Sequence, residues 1–184
     1  MIFEKYLDTD LVIIKPNIFG DDRGFFYESY NSDIFKKNLN LNLNFLQDNH
    51  SFSSNKTLRG LHYQKKPFEQ GKLVRVTKGL VLDVVLDLRK NSKNFLKHYS
   101  FMLSDDNRHI LWIPEGYAHG FIVLSQTAEF LYKTTNFYSQ KDEININPFD
   151  KDLNIDWFYG RHDVLQSIKD KNGLSLPDAI DLIY

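Results

Sequence analysis

The stretch LVLDVVLDLR, residues 80–89, determines how the rest of this chain is interpreted. Every even position from 80 to 88 carries leucine or valine, whereas the odd positions alternate valine with aspartate, at Val81, Asp83, Val85 and Asp87. Side chains two residues apart lie on the same face of a β-strand. The segment therefore predicts a strand in a sheet that has one apolar face and one face in contact with water.

The same period of two recurs along much of the chain. Alternating segments separated by turn residues lie at 72–79, 95–103, 109–125 and 128–135. Within the third segment, Pro114, Glu115 and Gly116 predict a turn between two strands. Short strands that recur about every ten residues are typical of a sandwich or a barrel. Two short helices are also predicted: residues 32–39, with Ser32 as the N-cap, and residues 175–184.

Length and composition exclude several classes of protein. The 184 residues suit a single domain, and the formal net charge of −1, with its 23 Lys and Arg scattered, predicts no nucleic-acid partner. The absence of cysteine excludes disulfides and thiolate sites and fits a cytoplasmic protein. The first 16 residues carry several charges, so they predict no signal peptide, and no apolar run approaches the ~20 residues of a membrane span.

The stretch TLRGLHYQKKPFEQGK, residues 57–72, contains the first candidates for chemistry. His62 is a candidate metal ligand, catalytic base or structural imidazole. Lys72 shares a predicted strand face with Val74 and Val76, so its ammonium lies either in a pocket or at a strand end, extended towards water. Tyr132 lies on an apolar strand face, which suits either a pocket or a core tyrosine with a bonded hydroxyl.

Further polar residues do not fit a simple apolar barrel. His119 precedes Gly120 in what we predict to be a turn, a setting in which a histidine is often functional. Arg23 lies in a predicted turn and Glu28 follows it, while Gln47 and Asn49 share one face at strand spacing. Together these residues predict a polar pocket inside an aromatic-rich barrel.

Six motifs give the chain a specific resemblance to a known family. In order, they are GDDRGFFYESYN (20–31), QDNHS (47–51), LRGLHYQ (58–64), QGKLVRVTKG (70–79), LWIPEGYAHGF (111–121) and AEFLYKTT (128–135). Their sequence and spacing resemble those of the dTDP-4-dehydrorhamnose 3,5-epimerases, across roughly residues 10–157. The resemblance implies an all-β, cupin-type jelly-roll (double-stranded β-helix) barrel, formed by one domain over residues 1–184 with a divergent tail from about residue 158.

The resemblance also implies the activity and the residues responsible for it. The reaction is epimerisation at C3 and C5 of a dTDP-4-dehydro-6-deoxy-hexose, with no metal and no organic cofactor. His62 is implied as the base, Tyr132 as the opposing acid, Lys72 as the group near the developing oxyanion and Asp170 as the partner of His62. The residues implied to hold the nucleotide sugar are Arg23, Phe26, Glu28, Gln47, Asn49, Arg59, His119 and Tyr138.

The family implies a homodimer with strands exchanged or paired between subunits, for which the apolar segment LVIIKP (11–16) is a candidate edge. The chain departs from the family at two places. Phe52 stands where a basic residue is usual, and residues 158–184 match the family's tail poorly, so that the assignment of Asp170 depends on the short element SIKD (167–170).

Three other functions remain open from the sequence. The nearest is an epimerase that inverts C3 alone or takes another nucleotide 4-keto sugar, because the same motifs serve it. A metal-dependent cupin would need more ligands than His62, His119 and Glu69 provide, since Gln64 stands where a second histidine is expected. A non-catalytic sugar-binding barrel would not need His62, Lys72 and Tyr132 together.

One geometric question is also open. On a regular strand Arg59 and His62 lie on opposite faces, so both can reach one pocket only if Gly60 permits a bulge or the site lies at a strand end.

Overall fold

The computed structural model describes all residues from Met1 to Tyr184. Thirteen strands follow one another along the chain: β1 (Ile2–Lys5), β2 (Val12–Lys15), β3 (Phe19–Asp21), β4 (Gly24–Phe26), β5 (Gln47–Ser54), β6 (Leu58–Gln64), β7 (Lys72–Lys78), β8 (Leu80–Asp87), β9 (His98–Ser104), β10 (Ile110–Ile113), β11 (Tyr117–Val123), β12 (Thr127–Thr134) and β13 (Glu143–Asn145). The helices are short: α1 (Ser32–Leu39), α2 (Ile168–Lys171) and α3 (Leu176–Ile183). None of them has the length and hydropathy needed to cross a bilayer.

The strands form two packed antiparallel sheets and one small hairpin. The first sheet has the order β1-β2-β10-β7-β12-β5, the second has the order β13-β6-β11-β8-β9, and β3 pairs only with β4. From β5 to β12 the chain passes repeatedly between the two large sheets, so most pairing is between strands distant in sequence. The predicted all-β barrel with a few short helices is confirmed.

Two details of the strand and helix predictions are wrong. The segment LVIIKP does not form an edge, because β2 pairs with β1 on one side and with β10 on the other, and the edges of its sheet are β1 and β5. The N-cap of α1 is Asn31 rather than Ser32, since the Asn31 side chain accepts hydrogen bonds from the backbone N–H groups of Asp33 and Ile34.

The predicted water-facing side of β8 is also wrong, because both faces of this strand are buried. Val81 and Val85 contribute to the core between the sheets, together with side chains of β7, β11 and β12. The opposite face, which includes Leu82 and Leu86, belongs to a second core that the C-terminal tail covers. Asp83 and Asp87 are buried because polar partners, described below, lie within the barrel.

The tail after residue 158 packs onto the outer face of the second sheet. Trp157, Leu176 and Ala179 are buried there against the leucines of β8 and against Leu61 of β6. Two parallel bridges, Thr57 with Leu165 and Ile146 with Leu174, attach the tail to the barrel. This packing places α2 beside β6, which becomes important at the site.

Candidate active site

A polar cavity of about 310 Å³ lies where the ends of strands from both large sheets meet. The first sheet contributes from β5, β7 and β12, and the second from β6 and β13. Side chains of both sheets and of the tail line it: Gln47, Asn49, His62, Gln64, Gln70, Lys72, Tyr132, Tyr138, Glu143 and Lys169. Six of the residues implied by the resemblance therefore meet in one cavity: Gln47, Asn49, His62, Lys72, Tyr132 and Tyr138.

Strand register explains how the first sheet presents its residues. Tyr132 lies opposite Asn49 of β5 and Val74 of β7, and Lys72 lies opposite Thr134 of β12. Because Lys72 and Val74 are two residues apart, they share the inner face, as predicted. Val74 lies in the inter-sheet core, so the lysine occupies the same face where the core ends and the cavity begins.

A bulge in β6 lies between Arg59 and His62, although of the two only His62 lines the cavity. His119 of β11 pairs with His62, but Phe121 pairs with Arg59, so that β6 has one more residue than β11 between these two pairs. Gly60 lies within the bulge with a φ of +116°, and a Cβ there would lie 2.7 Å from the Cα of Gly120. The strand needs glycine at this position, since a side chain fits neither the backbone conformation nor the space.

A short polar contact joins His62 at the cavity wall to Asp170 behind it, with 2.6 Å between His62 Nε2 and Asp170 Oδ1. Asp170 belongs to α2 and is only 4% exposed, and its backbone N–H donates to Ser167 Oγ, which caps the helix. Burial alone would raise the pKa of the Asp170 carboxyl, but the hydrogen bond and charge of His62 outweigh it and hold that pKa below its usual value. With Nε2–H donated to the carboxylate, His62 Nδ1 is the nitrogen left to accept a proton.

Lys72 carries a buried amine into the cavity. The residue is 7% exposed. Burial lowers the pKa of Lys72 to about 8, and the negative charge of Glu143 opposes this effect only in part. At neutral pH the amine is therefore mostly protonated and is poorly solvated, so a negative oxygen placed near it would be strongly stabilised.

Tyr132 lies on the opposite sheet from His62. Burial raises the pKa of the Tyr132 hydroxyl, although the positive charge of Arg59 lowers it in part. The hydroxyl therefore keeps its proton at neutral pH and can donate it. Asn49 is placed beside this residue, since its Nδ2 donates to the Tyr132 carbonyl over 3.4 Å.

Four residues that line the cavity were not predicted as site residues: Gln64, Gln70, Glu143 and Lys169. Lys169 Nζ donates to Glu143 Oε2 over 2.6 Å, and the hydroxyl of Tyr138 donates to the same oxygen over 3.1 Å. Glu143 belongs to the three-residue strand β13, where it lies opposite Gln64. The only sequence signal was the alternation of polar and apolar residues in EINI (143–146), which is too short to distinguish a strand from a solvated loop.

Besides Asp170, which reaches the cavity only through its contact with His62, five residues implied by the resemblance do not line it. Arg23 and Phe26 lie on the exposed β3–β4 hairpin, where Arg23 pairs with Asp21, and Glu28 follows that hairpin and accepts a hydrogen bond from Asn31. Arg59 is exposed and donates to Ser53 Oγ and to the Phe52 carbonyl. The fifth is His119.

The predicted turn setting of His119 is wrong. The residue lies in the middle of β11, because the turn ends at Gly116 and the strand begins at Tyr117. His119 is 8% exposed, and its Nε2 lies 2.7 Å from Oδ2 of the fully buried Asp83. It adjoins His62 on the neighbouring strand without reaching the cavity wall.

Two other features of the structure bear on where the site lies. A larger cavity, of about 540 Å³, lies between Tyr63, Arg89 and the C-terminal Tyr184. Arg89 there is already bonded to Asp87 and Asp10, so its charge is used within the protein.

The structure brings no three His, Asp or Glu side chains together in a group that could hold a metal ion.

Comparison with known proteins identifies the family. The profile of the dTDP-4-dehydrorhamnose 3,5-epimerases matches residues 8–178, which extends further into the tail than the motifs indicated. The dTDP-4-dehydrorhamnose 3,5-epimerase of Shigella flexneri is 51% identical over 170 residues, or 92% of this chain and 93% of that protein.

Solved structures agree with this match. The crystal structure of dTDP-4-dehydrorhamnose 3,5-epimerase from Elizabethkingia anophelis superposes with a TM-score of 0.91 at 46% identity, covering 97% of both chains. The epimerase of Legionella pneumophila, solved in complex with dTDP-4-keto-L-rhamnose, has a TM-score of 0.91 at 42% identity, covering 100% of this chain and 94% of that one. The chain therefore belongs to the dTDP-4-dehydrorhamnose 3,5-epimerase family.

Proposed function

We propose that this chain is an isomerase that converts dTDP-4-dehydro-6-deoxy-D-glucose to dTDP-4-dehydro-L-rhamnose by inverting C3 and C5. One observation carries the proposal beyond family membership. His62, which is paired with Asp170, shares a single cavity with a buried lysine and a half-buried tyrosine. This set matches the requirements of proton removal next to a ketone, as the following steps explain.

His62 removes the proton. The C4 ketone acidifies the hydrogens on C3 and C5, because the resulting carbanion is delocalised onto the C4 oxygen as an enolate. His62 Nδ1 accepts the proton, and the imidazolium that forms is stabilised by Asp170 through the 2.6 Å contact at Nε2. A histidine suits this role at neutral pH because the ordinary pKa of imidazole lies nearby.

Lys72 stabilises the enolate, and Tyr132 completes the inversion. The ammonium of Lys72 faces the negative charge on the C4 oxygen, an interaction worth about 3–4 kcal/mol by comparison with oxyanion-hole donors. Inversion requires a proton from the face opposite His62, and Tyr132 supplies it from the other sheet. Its raised pKa keeps the hydroxyl protonated until it is needed.

We assign the remaining implied residues to binding. Gln47, Asn49 and Tyr138 lie in the cavity wall and would contact the sugar or the base. Arg59 and His119 adjoin the site from β6 and β11. Arg23 suits a diphosphate by forked hydrogen bonding, but with Phe26 and Glu28 it lies on the β3–β4 hairpin or just after it, outside the cavity.

We propose a homodimer because Arg23, Phe26 and Glu28 lie outside the cavity of their own chain. The hairpin exposes Phe19, Phe25 and Phe26 to between 59% and 65%, a concentration of apolar surface that favours contact with another protein. If the hairpin docks against a second copy, it buries these rings and can bring Arg23 to the diphosphate bound by that copy.

The proposal is tested by proton exchange. The protein is incubated with dTDP-4-dehydro-6-deoxy-glucose in deuterated water, before and after exhaustive chelation, and label at C3 and C5 is measured by NMR. We expect label at both carbons and no effect of chelation. Label at C3 alone would indicate a 3-epimerase, and binding without label would indicate a non-catalytic module or a different substrate.

The Tyr132→Phe variant separates the two proton transfers. The change removes one hydroxyl from an apolar strand face, so the fold should be retained. Exchange of the substrate hydrogens with solvent should then continue while net epimerisation is strongly impaired. Equal loss of exchange and epimerisation would indicate that Tyr132 has no separate role as the acid.

A further inference from the structure

The loop that follows β12, residues 135–139, is attached to the cavity by side-chain amides. Gln64 Nε2 donates to the Ser139 carbonyl over 3.0 Å, and the Ser139 N–H donates to Gln64 Oε1 over 2.9 Å. We call this pair of hydrogen bonds the Gln64–Ser139 clamp. Gln64 is 5% exposed, so the clamp forms in a poorly solvated place where its loss would leave buried polar groups unpaired.

The clamp engages both polar atoms of Gln64. Although the residue lines the cavity, its carbonyl oxygen and its amide nitrogen are already bonded to the loop. Gln70 makes a single contact of the same kind, from Nε2 to the Asn136 carbonyl over 3.0 Å. These amides therefore hold the loop, and Gln64 keeps one N–H and one oxygen lone pair beyond those that the clamp uses.

The loop carries Tyr138 into the cavity. The Tyr138 N–H donates to Gln47 Oε1 over 3.1 Å, and its hydroxyl donates to Glu143 Oε2 over 3.1 Å. The residue is nevertheless 46% exposed and packs against no other aromatic ring. The position of Tyr138 is therefore set by these two hydrogen bonds and by the backbone of the loop, which the clamp holds at the next residue, Ser139.

We infer that Gln64 is a positioning residue that fixes Tyr138 against the bound nucleotide sugar through the Gln64–Ser139 clamp. This inference rests on the proposed function, since it assigns Tyr138 a contact with that substrate. With the clamp intact, Tyr138 forms a fixed wall of the cavity beside Tyr132. This wall restrains the sugar while one of its faces meets His62 and the other meets Tyr132. With the clamp broken, the loop shifts outwards and the wall opens to water.

A double-mutant cycle tests the inference. Gln64→Met keeps the length of the side chain and removes both hydrogen bonds, and Tyr138→Ala removes the wall. The two single variants and the double variant are compared for kcat/KM and for the Kd of dTDP-glucose, which lacks the ketone and does not react. We expect Gln64→Met to lower kcat/KM about 10- to 100-fold in the presence of Tyr138 and less than about 3-fold in the Tyr138→Ala background.

Asn55→Leu is the matched control. Asn55 also uses its side-chain amide to hold backbone, donating to the Leu124 and Ser125 carbonyls in the turn before β12, away from the cavity. It should leave kcat/KM within about 2-fold, although it removes a comparable contact. If Gln64→Met does not fold, Gln64→Glu is used instead, because it keeps an acceptor for the Ser139 N–H and loses the donor to the Ser139 carbonyl, with a negative charge added.

The possible results separate the inference from the proposed function. Equal losses from Gln64→Met with and without Tyr138 would overturn the inference, because Gln64 would then act independently of Tyr138. If the unmodified protein does not turn over the 4-keto sugar, the proposed function fails. The cycle on dTDP-glucose affinity still decides the inference in that case, and additive effects on Kd would overturn it.

Discussion

At the scale of single residues, Asp170 offers the sharpest test of the proposed base. Asp170→Asn keeps the shape of the side chain, but its amide can donate to His62 Nε2 and so favour the tautomer with the proton on Nδ1. We expect kcat to fall by up to about 10⁴-fold, the loss seen when the triad carboxylate of a serine protease becomes an amide. Affinity should change little, because Asp170 does not line the cavity.

Asp163→Asn is the control for this prediction, since it alters an exposed aspartate of the same tail. Steady-state kinetics of the two variants provide the measurement. Near-normal turnover of Asp170→Asn would show that another group orients His62.

The pH dependence of the reaction should report Lys72. The pKa of this amine is lowered to about 8 by burial, so the charge that stabilises the enolate is lost as pH rises through that value. We therefore expect kcat/KM to fall above about pH 8, in a pH–rate profile measured with the 4-keto sugar. A profile that stays flat to pH 10 would exclude Lys72 as the stabilising group.

Lys72 should also lower the free energy of unfolding. Because the pKa of Lys72 is lower in the folded state than the usual lysine value of 10.5, the unfolded chain binds more protons between about pH 8 and 10.5. The destabilisation caused by burying the Lys72 ammonium is therefore fully present below pH 8, and it disappears as pH rises through the pKa of this lysine in the unfolded chain. Lys72→Met should raise the free energy of unfolding at pH 7 by about 1–3 kcal/mol while lowering kcat about 10²- to 10³-fold. Chemical denaturation and kinetics of the variant measure both effects.

At the scale of elements, the bulge in β6 is the feature on which the site geometry depends. Gly60→Ala would place a Cβ 2.7 Å from the Gly120 Cα and 2.8 Å from the His119 carbonyl oxygen, at a φ of +116°. We expect a loss of about 2–4 kcal/mol in the free energy of unfolding, from strain and from the displaced neighbouring strand. Activity should fall as well, since His62 lies two residues away.

Gly160→Ala is the control for the bulge, because a Cβ there meets only the flexible Asp163 carboxylate, at 3.2 Å. Both variants are compared by urea denaturation. A Gly60→Ala protein as stable as the Gly160→Ala protein would mean that the bulge tolerates a side chain.

Strands and helices were largely predictable from the sequence because their signals are local. The alternation of β7, β8 and β12 is visible within eight residues, and α3 begins directly after the capping residue Ser175, as its pattern indicated. What covers each face is a non-local property. The face of β8 with Val81, Asp83, Val85 and Asp87 was predicted to meet water, although it lies against the other sheet inside the barrel.

The site was predictable only in part, for the same physical reason. Asp170 and His62 are 108 residues apart, and no spacing pattern links them, so their pairing came from the resemblance alone. Glu143 belongs to a strand of three residues and looked like any solvated charge. The setting of His119 was misjudged because a glycine follows it, although that glycine serves close packing between β11 and β6 rather than a turn.

At the scale of the whole molecule, we expect a dimer in solution with a largely apolar interface. Static light scattering at micromolar concentration measures it directly, and a monomer would contradict the prediction. If the hairpin serves the other copy, a mixture of inactive Arg23→Ala and inactive His62→Ala proteins should regain activity after subunit exchange, because some mixed dimers contain one intact site. A mixture of His62→Ala and Tyr132→Phe proteins is the control. Both residues lie in the cavity of one chain, so no mixed dimer contains an intact site and activity should not return.

The attachment of α2 to β6 has a consequence for the newly made protein. His62 is synthesised early, but its carboxylate partner emerges from the ribosome 108 residues later, on a segment that must still dock against the barrel. Chains are made from the N-terminus at about 5–20 residues per second, so the barrel strands are complete before the base is. If Asp170 orients His62 as we propose, the new chain can form its sheets before its base is complete, and catalysis begins only when the C-terminal segment has docked.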